Sequence, residues 1–101
     1  MTKNKYTLLV IALDGAFTID GTFNSVEEAE DYWGDLGSRW FFYPYRAIIA
    51  RPKSTIDLDK KILNSKILVA PDFPDNLSLL KGKKVSTYVK LIKAGQLPLG
   101  D

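Results

Sequence analysis

The sequence predicts an α+β fold: a two-layer sandwich with an antiparallel sheet of about four strands, a helix capping the sheet and a C-terminal amphipathic helix. Three observations predict it. The almost continuously apolar run Tyr6–Leu13 ends in Asp14-Gly15 and is followed by a second β-rich run, a hairpin signature. Two later segments, beginning after Ser25 and near Val85, carry apolar residues at helical spacing with charged residues between them. Two further β-rich runs are stopped by Pro52 and Pro71. The resulting order is strand, strand, helix, strand, strand, helix, in a single domain over residues 1–101.

Each element has its own local reason. A two-residue turn at Asp14-Gly15 sets Tyr6 opposite Phe23, Leu8 opposite Gly21, Val10 opposite Ile19 and Ala12 opposite Phe17, all on one face that becomes the core. Ser25-Val26-Glu27-Glu28 has the form of a capping box, in which serine and glutamate satisfy the free amides at a helix start. Val26, Ala29, Trp33 and Leu36 form the apolar stripe that follows, with Gly37 as the C-terminal cap. The chain is then extended from Trp40 to Arg51, and alternation places Trp40 and Phe42 on the core face and Phe41, Tyr43 and Tyr45 on the other. Ser54 to Asn64 fits a short helix about as well as an extended arm, and strand pairing with an irregular tip is the expectation adopted. Lys66–Ala70 reads as the next strand. Asp72 to Asn76 has turn chemistry, with a short helical turn following through Leu80. Val85, Tyr88, Val89 and Ile92 mark the last helix, ending near Gly95.

Composition excludes several classes. With 46% apolar and 26% charged residues the chain has the make-up of a globular protein rather than a disordered tail. No run approaches a membrane span in length, and no signal peptide is evident, so a cytoplasmic location is the default expectation. Cysteine is absent, which leaves the redox compartment open. The net charge of +2 conceals an asymmetry, with −5 over residues 1–36 and +7 over residues 37–101. Such a distribution can orient a charged partner.

No catalytic constellation is visible. Glu27, Glu28, Glu30, Asp31 and Asp35 share one helix, where a solvated face near the positive end of the helix dipole is the ordinary reading. General acid and base work would need burial or a like-charge pair to part their pKa values. Histidine and cysteine are both absent and no calcium-loop spacing occurs, so neither a metal nor any other cofactor is expected. Ser86 and Lys90 lie one helical turn apart, a spacing common by chance. Gly82-Lys83-Lys84 lacks the earlier glycine and the following hydroxyl of a phosphate loop. The expectation is a protein that is not an enzyme.

Two surfaces remain as candidates. Five of the twelve aromatic residues fall between Trp40 and Tyr45, and burying them would remove roughly 750 to 1,250 Å² from water. Arg39, Phe41, Tyr43, Tyr45 and Arg46 combine aromatic and arginine side chains as interface hot spots do, and are the expected partner-binding set. The second surface is basic: Lys81, Lys83, Lys84, Lys90 and Lys93 occur without an intervening acid, in a pattern that suits phosphate contacts with nucleic acid. Dipole-friendly lysines on a solvated helix face account for the same pattern.

Gly37-Ser38-Arg39-Trp40-Phe41-Phe42-Tyr43-Pro44, preceded by Ser25-Val26-Glu27-Glu28-Ala29 and followed by Ala70-Pro71 and Leu80-Lys81-Gly82-Lys83-Lys84-Val85, resembles small tailed-phage proteins of no assigned activity. The likeness spans most of the chain, with Ser54 to Asn64 longer than the pattern. The layout from Tyr6 to Pro52 is also similar, in architecture only, to the small podovirus inhibitor of bacterial RNA polymerase. What these resemblances imply is a phage accessory protein that binds and modulates a host or phage protein, such as the transcription machinery or a defence complex. The alternatives are a nucleic-acid-binding module that uses the lysines, and a minor virion or assembly protein.

Overall fold

Tyr6–Ile11 (β1) is apolar on both faces, so the chain must cover it on both, and the rest of the fold does so. The computed structural model describes residues 5–34, 42–70 and 80–95. Among these residues β1 is followed by β2 (Phe17–Phe23), α1 (Val26–Gly34), β3 (Tyr45–Ala50), α2 (Leu58–Asn64), β4 (Ile67–Val69) and α3 (Val85–Lys93). The strands form one antiparallel sheet in the order β2-β1-β3-β4, an α+β fold.

The hairpin keeps only half of the expected register. Tyr6, Thr7 and Leu8 pair with Phe23, Thr22 and Gly21, but Leu9, Val10 and Ile11 pair with Ile19, Thr18 and Phe17, with a β-bulge between the two sets. Its cause lies at the turn. Ala12 N donates to Ala16 O at 2.7 Å, Gly15 N donates to Ala12 O at 2.9 Å, and Ala16 N donates to Asp14 Oδ1 at 2.9 Å. This is a three-residue loop with Gly15 left-handed at φ +89, one residue longer than the expected two-residue turn. The extra loop residue shifts the ladder by one, and Asp20 restores the phase as the unpaired bulge residue. Ile19 and Phe17 thereby move to the face opposite the one predicted.

Both faces consequently become cores. On one, Leu9, Ile11, Tyr45, Ala47 and Ile49 pack with Ile62 of α2 and with Val85, Tyr88, Val89 and Ile92 of α3. On the other, Leu8 and Ile48 pack with Ala29, Tyr32 and Trp33 of α1, and the Tyr32 ring lies 5.2 Å from that of Phe23. The helices add a layer on each side of the sheet, one more than the sandwich drawn from sequence. α1 starts as predicted, with Glu28 N donating to Ser25 Oγ at 3.1 Å. β3 lies on the far side of β1 from β2, so α1 must cross β1 between them.

Two expectations need correction here. Residues 58–64 are helical, not an extended arm, because Leu58 and Ile62 lie one turn apart and both meet the core under α3. Lys61 Nζ donates to Ser54 Oγ at 2.5 Å and to Ile56 O at 2.6 Å, tying the preceding loop to that helix. The extended segment from Trp40 is the second. The strand begins only at Tyr45, Phe42 is exposed and Tyr45 is 3% exposed, reversing the faces given to these two rings. Pro44 has no N–H to donate, and the ladder that would fix strand parity starts after it. The turn at Asp72 to Asn76 lies outside the described residues.

The segment before α3 hydrogen-bonds along β4: Ile67 N donates to Lys83 O, Gly82 N to Ile67 O and Val85 N to Ser65 O, all within 2.8–2.9 Å. β2, at the other end of the sheet, has no second strand beside it among the described residues. Tyr88 crosses the core to donate its hydroxyl to Arg46 O at 3.1 Å, and its ring meets that of Tyr45 edge-on at 6.1 Å.

Gly15 is fixed by more than its φ. A Cβ there would stand 2.6 Å from Lys93 Cε and 3.1 Å from Val89 Cγ1. Gly15→Ala is expected to destabilise the fold by about 1–3 kcal/mol, read as a lower urea midpoint with unchanged slope. Burial pushes the Tyr88 phenol well above its ordinary value of 10.0 and raises that of Tyr45 as well. A raised phenol pKa binds its proton more tightly in the folded state, so this stability is intact below about pH 10 and lost as the pH rises beyond it. Urea titrations across that range should show stability falling with pH, and Tyr88→Phe should flatten the fall while costing about 1 kcal/mol at neutral pH.

Candidate partner-binding surface

The expected partner-binding residues do not form one surface. Arg39 and Phe41 lie outside the described residues. Tyr45 is a core side chain, because Ile11 pairs with it across the ladder and α3 covers it, so it cannot meet a partner. Tyr43 and Arg46 are half-buried, and Phe42, assigned to the core from sequence, is 77% exposed.

Phe42 shares its end of the sheet with a residue that the sequence did not single out. The pairing of Ile11 with Tyr45 brings the β1–β2 turn and residues 42–44 to the same end of the sheet. Leu13, in that turn, is 56% exposed. Two large exposed apolar side chains therefore lie at the same end of the sheet, where the Lys93 side chain packs against Gly15. Leu13 was legible only as the last residue of an apolar run, and the longer loop turns it outward.

Arg46 belongs to this end of the sheet. It pairs with Val10 on the face that α1 covers, and its Nε is enclosed with no hydrogen-bond partner, as are Thr7 Oγ1 and Asp20 Oδ2. A buried donor left unpaired costs about 1–3 kcal/mol, and more when charged.

The lysines divide into two groups. All five predicted residues are exposed. Lys81, Lys83 and Lys84 precede α3, whereas Lys90 and Lys93 occupy its last turn, about 9 and about 14 Å along the axis from Lys84. The first group gains a member. Lys66 pairs with Lys84 in an antiparallel bridge flanked by the 65–85 and 67–83 hydrogen bonds, the arrangement with Cα atoms about 4.5 Å apart and side chains closest. Only folding brings these two lysines together, so no local signal could have found Lys66.

The acids predicted to be solvated, Glu27, Glu28, Glu30 and Asp31, are exposed, and Asp35 lies outside the described residues. Among the described residues no three His, Cys, Asp or Glu side chains converge, and no helix is long and apolar enough to cross a membrane. Comparison with protein-family models, with curated proteins and with solved structures returns no match to this chain.

Proposed function

We propose that this chain is a non-enzymatic binding protein that docks on a protein partner through the end of the sheet bearing Leu13, Phe42 and Arg46. The observation that carries the reading is the exposed Phe42 ring, 77% accessible, at the same end of the sheet as the exposed Leu13 and the half-buried Arg46. Covering about 150 Å² of that ring would contribute about 4 kcal/mol. The half-buried Arg46 side chain would supply the charged contact, to a carboxylate on the partner. The two residues are anchors, since a stable interface buries about 800 Å² on each side. The resemblance to small tailed-phage proteins implies a phage setting, in which such docking would modulate, by obstruction, a host or phage protein such as the transcription machinery or a defence complex.

The test compares single-residue variants with equal thermal stability. Tagged protein is expected to retain from bacterial lysate a stoichiometric, nuclease-resistant protein, which Phe42→Ala and Arg46→Gln each weaken by at least about 30-fold once its affinity is measured with purified components. Lys60→Ala, on exposed α2, should leave that affinity unchanged. Tyr45→Ala should instead lower stability by about 3–5 kcal/mol, as loss of a core ring does. Equal affinity of Phe42→Ala and the parent protein would overturn the reading.

The opposition of Lys66 and Lys84 favours a second reading, an anionic polymer bound along Lys66, Lys81, Lys83 and Lys84. Like charges placed directly opposite destabilise a sheet, and phosphates spanning the pair would offset that repulsion. Four lysine–phosphate contacts predict that the logarithm of the affinity for a single-stranded oligonucleotide falls with that of salt concentration at a slope of about −3. Lys84→Glu should abolish this binding while raising stability by about 0.2–1 kcal/mol, because it makes the pair attractive. No binding at low salt, or binding untouched by Lys84→Glu, would end this reading.

A further inference from the structure

The two edges of the sheet differ. Beyond β4, residues 82–85 hydrogen-bond along the strand and cover its outer side. β2 has no second strand beside it among the described residues. Its sequence, Phe-Thr-Ile-Asp-Gly-Thr-Phe, holds no lysine, arginine or proline, the residues that usually keep an open edge from pairing. Its side chains are half-buried throughout.

The phase of the ladder decides which groups this edge offers. Ala12 N donates to Ala16 O, so that pair is of the hydrogen-bonded kind, and alternation makes Val10 with Thr18 the next such pair. The backbone N–H and C=O of Phe17 and Ile19 therefore point away from β1, into the open edge. The side chains of these two residues pack against the α2–α3 core, and Thr18 lies on the other face. At the same edge Phe17, Thr18 and Ile19 join Leu58, Asp59 and Ile62 around a cavity of about 180 Å³. An apolar cavity of about 150 Å³ accommodates benzene, so this one has room for a phenyl ring.

We propose that β2 pairs with β2 of a second copy of this chain, antiparallel about a twofold axis at Thr18. The strand is complementary to itself in this register. Phe17 and Ile19 of one copy face Ile19 and Phe17 of the other, and their outward N–H and C=O groups close four hydrogen bonds. The facing side chains are aromatic with β-branched, and Thr18 meets its own counterpart, both pairings that stabilise antiparallel strands. Each Phe17 ring would extend over the cavity of the other copy. Charge agrees with the register. Asp20 falls opposite Ala16 of the copy, next to the Gly15 against which the copy's Lys93 packs, so an acid meets a cation at each end of the paired segment. The bulge at Asp20 ends the regular edge and confines the pairing to residues 16–20. A twofold axis uses up both open edges, so two four-stranded sheets close into one dimer rather than growing into a fibre. The paired segment is smaller than a standard interface of about 800 Å² per partner, which makes the dimer a reversible one. Phe42, which precedes β3 two strands from this edge, stays uncovered.

Sedimentation of the full chain between about 10 μM and about 1 mM is expected to show a monomer–dimer equilibrium. Over the same range hydrogen exchange at the Phe17 and Ile19 amides should slow at least fivefold, while that at Thr18, already bonded within the monomer, changes less than twofold. Thr18→Lys and Thr18→Glu each set like charges across the axis and should each weaken dimerisation at least tenfold. Mixing the two should restore it, since only a residue on the axis meets itself. The proposal is overturned if the chain stays monomeric at the highest concentration, or if the Phe17 and Ile19 amides exchange at one rate throughout. It is overturned equally if folded Thr18→Lys dimerises as the parent does. Phe42→Ala should leave dimerisation unchanged, and its loss in that variant would assign self-association to the docking surface and overturn the edge pairing. Failure of the edge pairing and failure of the docking surface are thereby separable.

Discussion

The structure depends on burying β1 on both faces at once. Leu8 and Val10 point to one side of the sheet and Leu9 and Ile11 to the other, and all four are fully enclosed. A strand of this kind cannot lie at an edge or leave one face to solvent. It is flanked by β2 and β3, with α1 over one face and α2 and α3 over the other. The bulge at Asp20 serves the same constraint. By shifting the phase of β2 midway, it lets Phe23 join the α1 core while Ile19 and Phe17 pack against the α2–α3 core. A regular hairpin in the predicted register would have put all three on one face.

Where the sequence was legible, a short-range rule coincided with the tertiary demand. Ser25 caps α1 through the Glu28 amide, and the stripe Val85, Tyr88, Val89, Ile92 is buried residue for residue. The almost continuously apolar run of β1 identified a strand buried on both faces. What could not be read was phase. One residue more in the turn after Ala12 reverses the faces of Phe17, Thr18 and Ile19 until the bulge at Asp20 restores the phase, and nothing in Asp14-Gly15 distinguishes a two-residue loop from a three-residue one. The same holds after Pro44. Counting alternation from Trp40 assumed a ladder that begins only at Tyr45, and so it placed Phe42 inside and Tyr45 outside.

Helix α2 illustrates a different limit. Leu58 and Ile62 are compatible with either period, and only the presence of α3 over the same face decides between them. The pairing of Lys66 with Lys84 is a consequence of that decision. Once residues 58–64 coil up, Ser65–Ile67 is delivered alongside Lys83–Val85, and two residues with no sequence relation become direct neighbours.

The candidate sites fall where these long-range decisions leave something unfinished. Leu13 and Phe42 are apolar and exposed because a loop and a strand start place them beyond the sheet. Thr7 and Arg46 are polar and enclosed because the ladder fixes their positions regardless of side chain. Local rules and the fold disagree at these four residues, and natural sequences tolerate such conflicts mainly at functional positions. Thr7 and Leu13 are separated by six steps of an extended chain, about 20 Å at about 3.3 Å each, with fully buried strand between them. A rigid, close-packed strand of that length keeps the two ends chemically separate. The exposed Leu13 at one end and the enclosed, polar Thr7 at the other are therefore set by the same strand without touching one another.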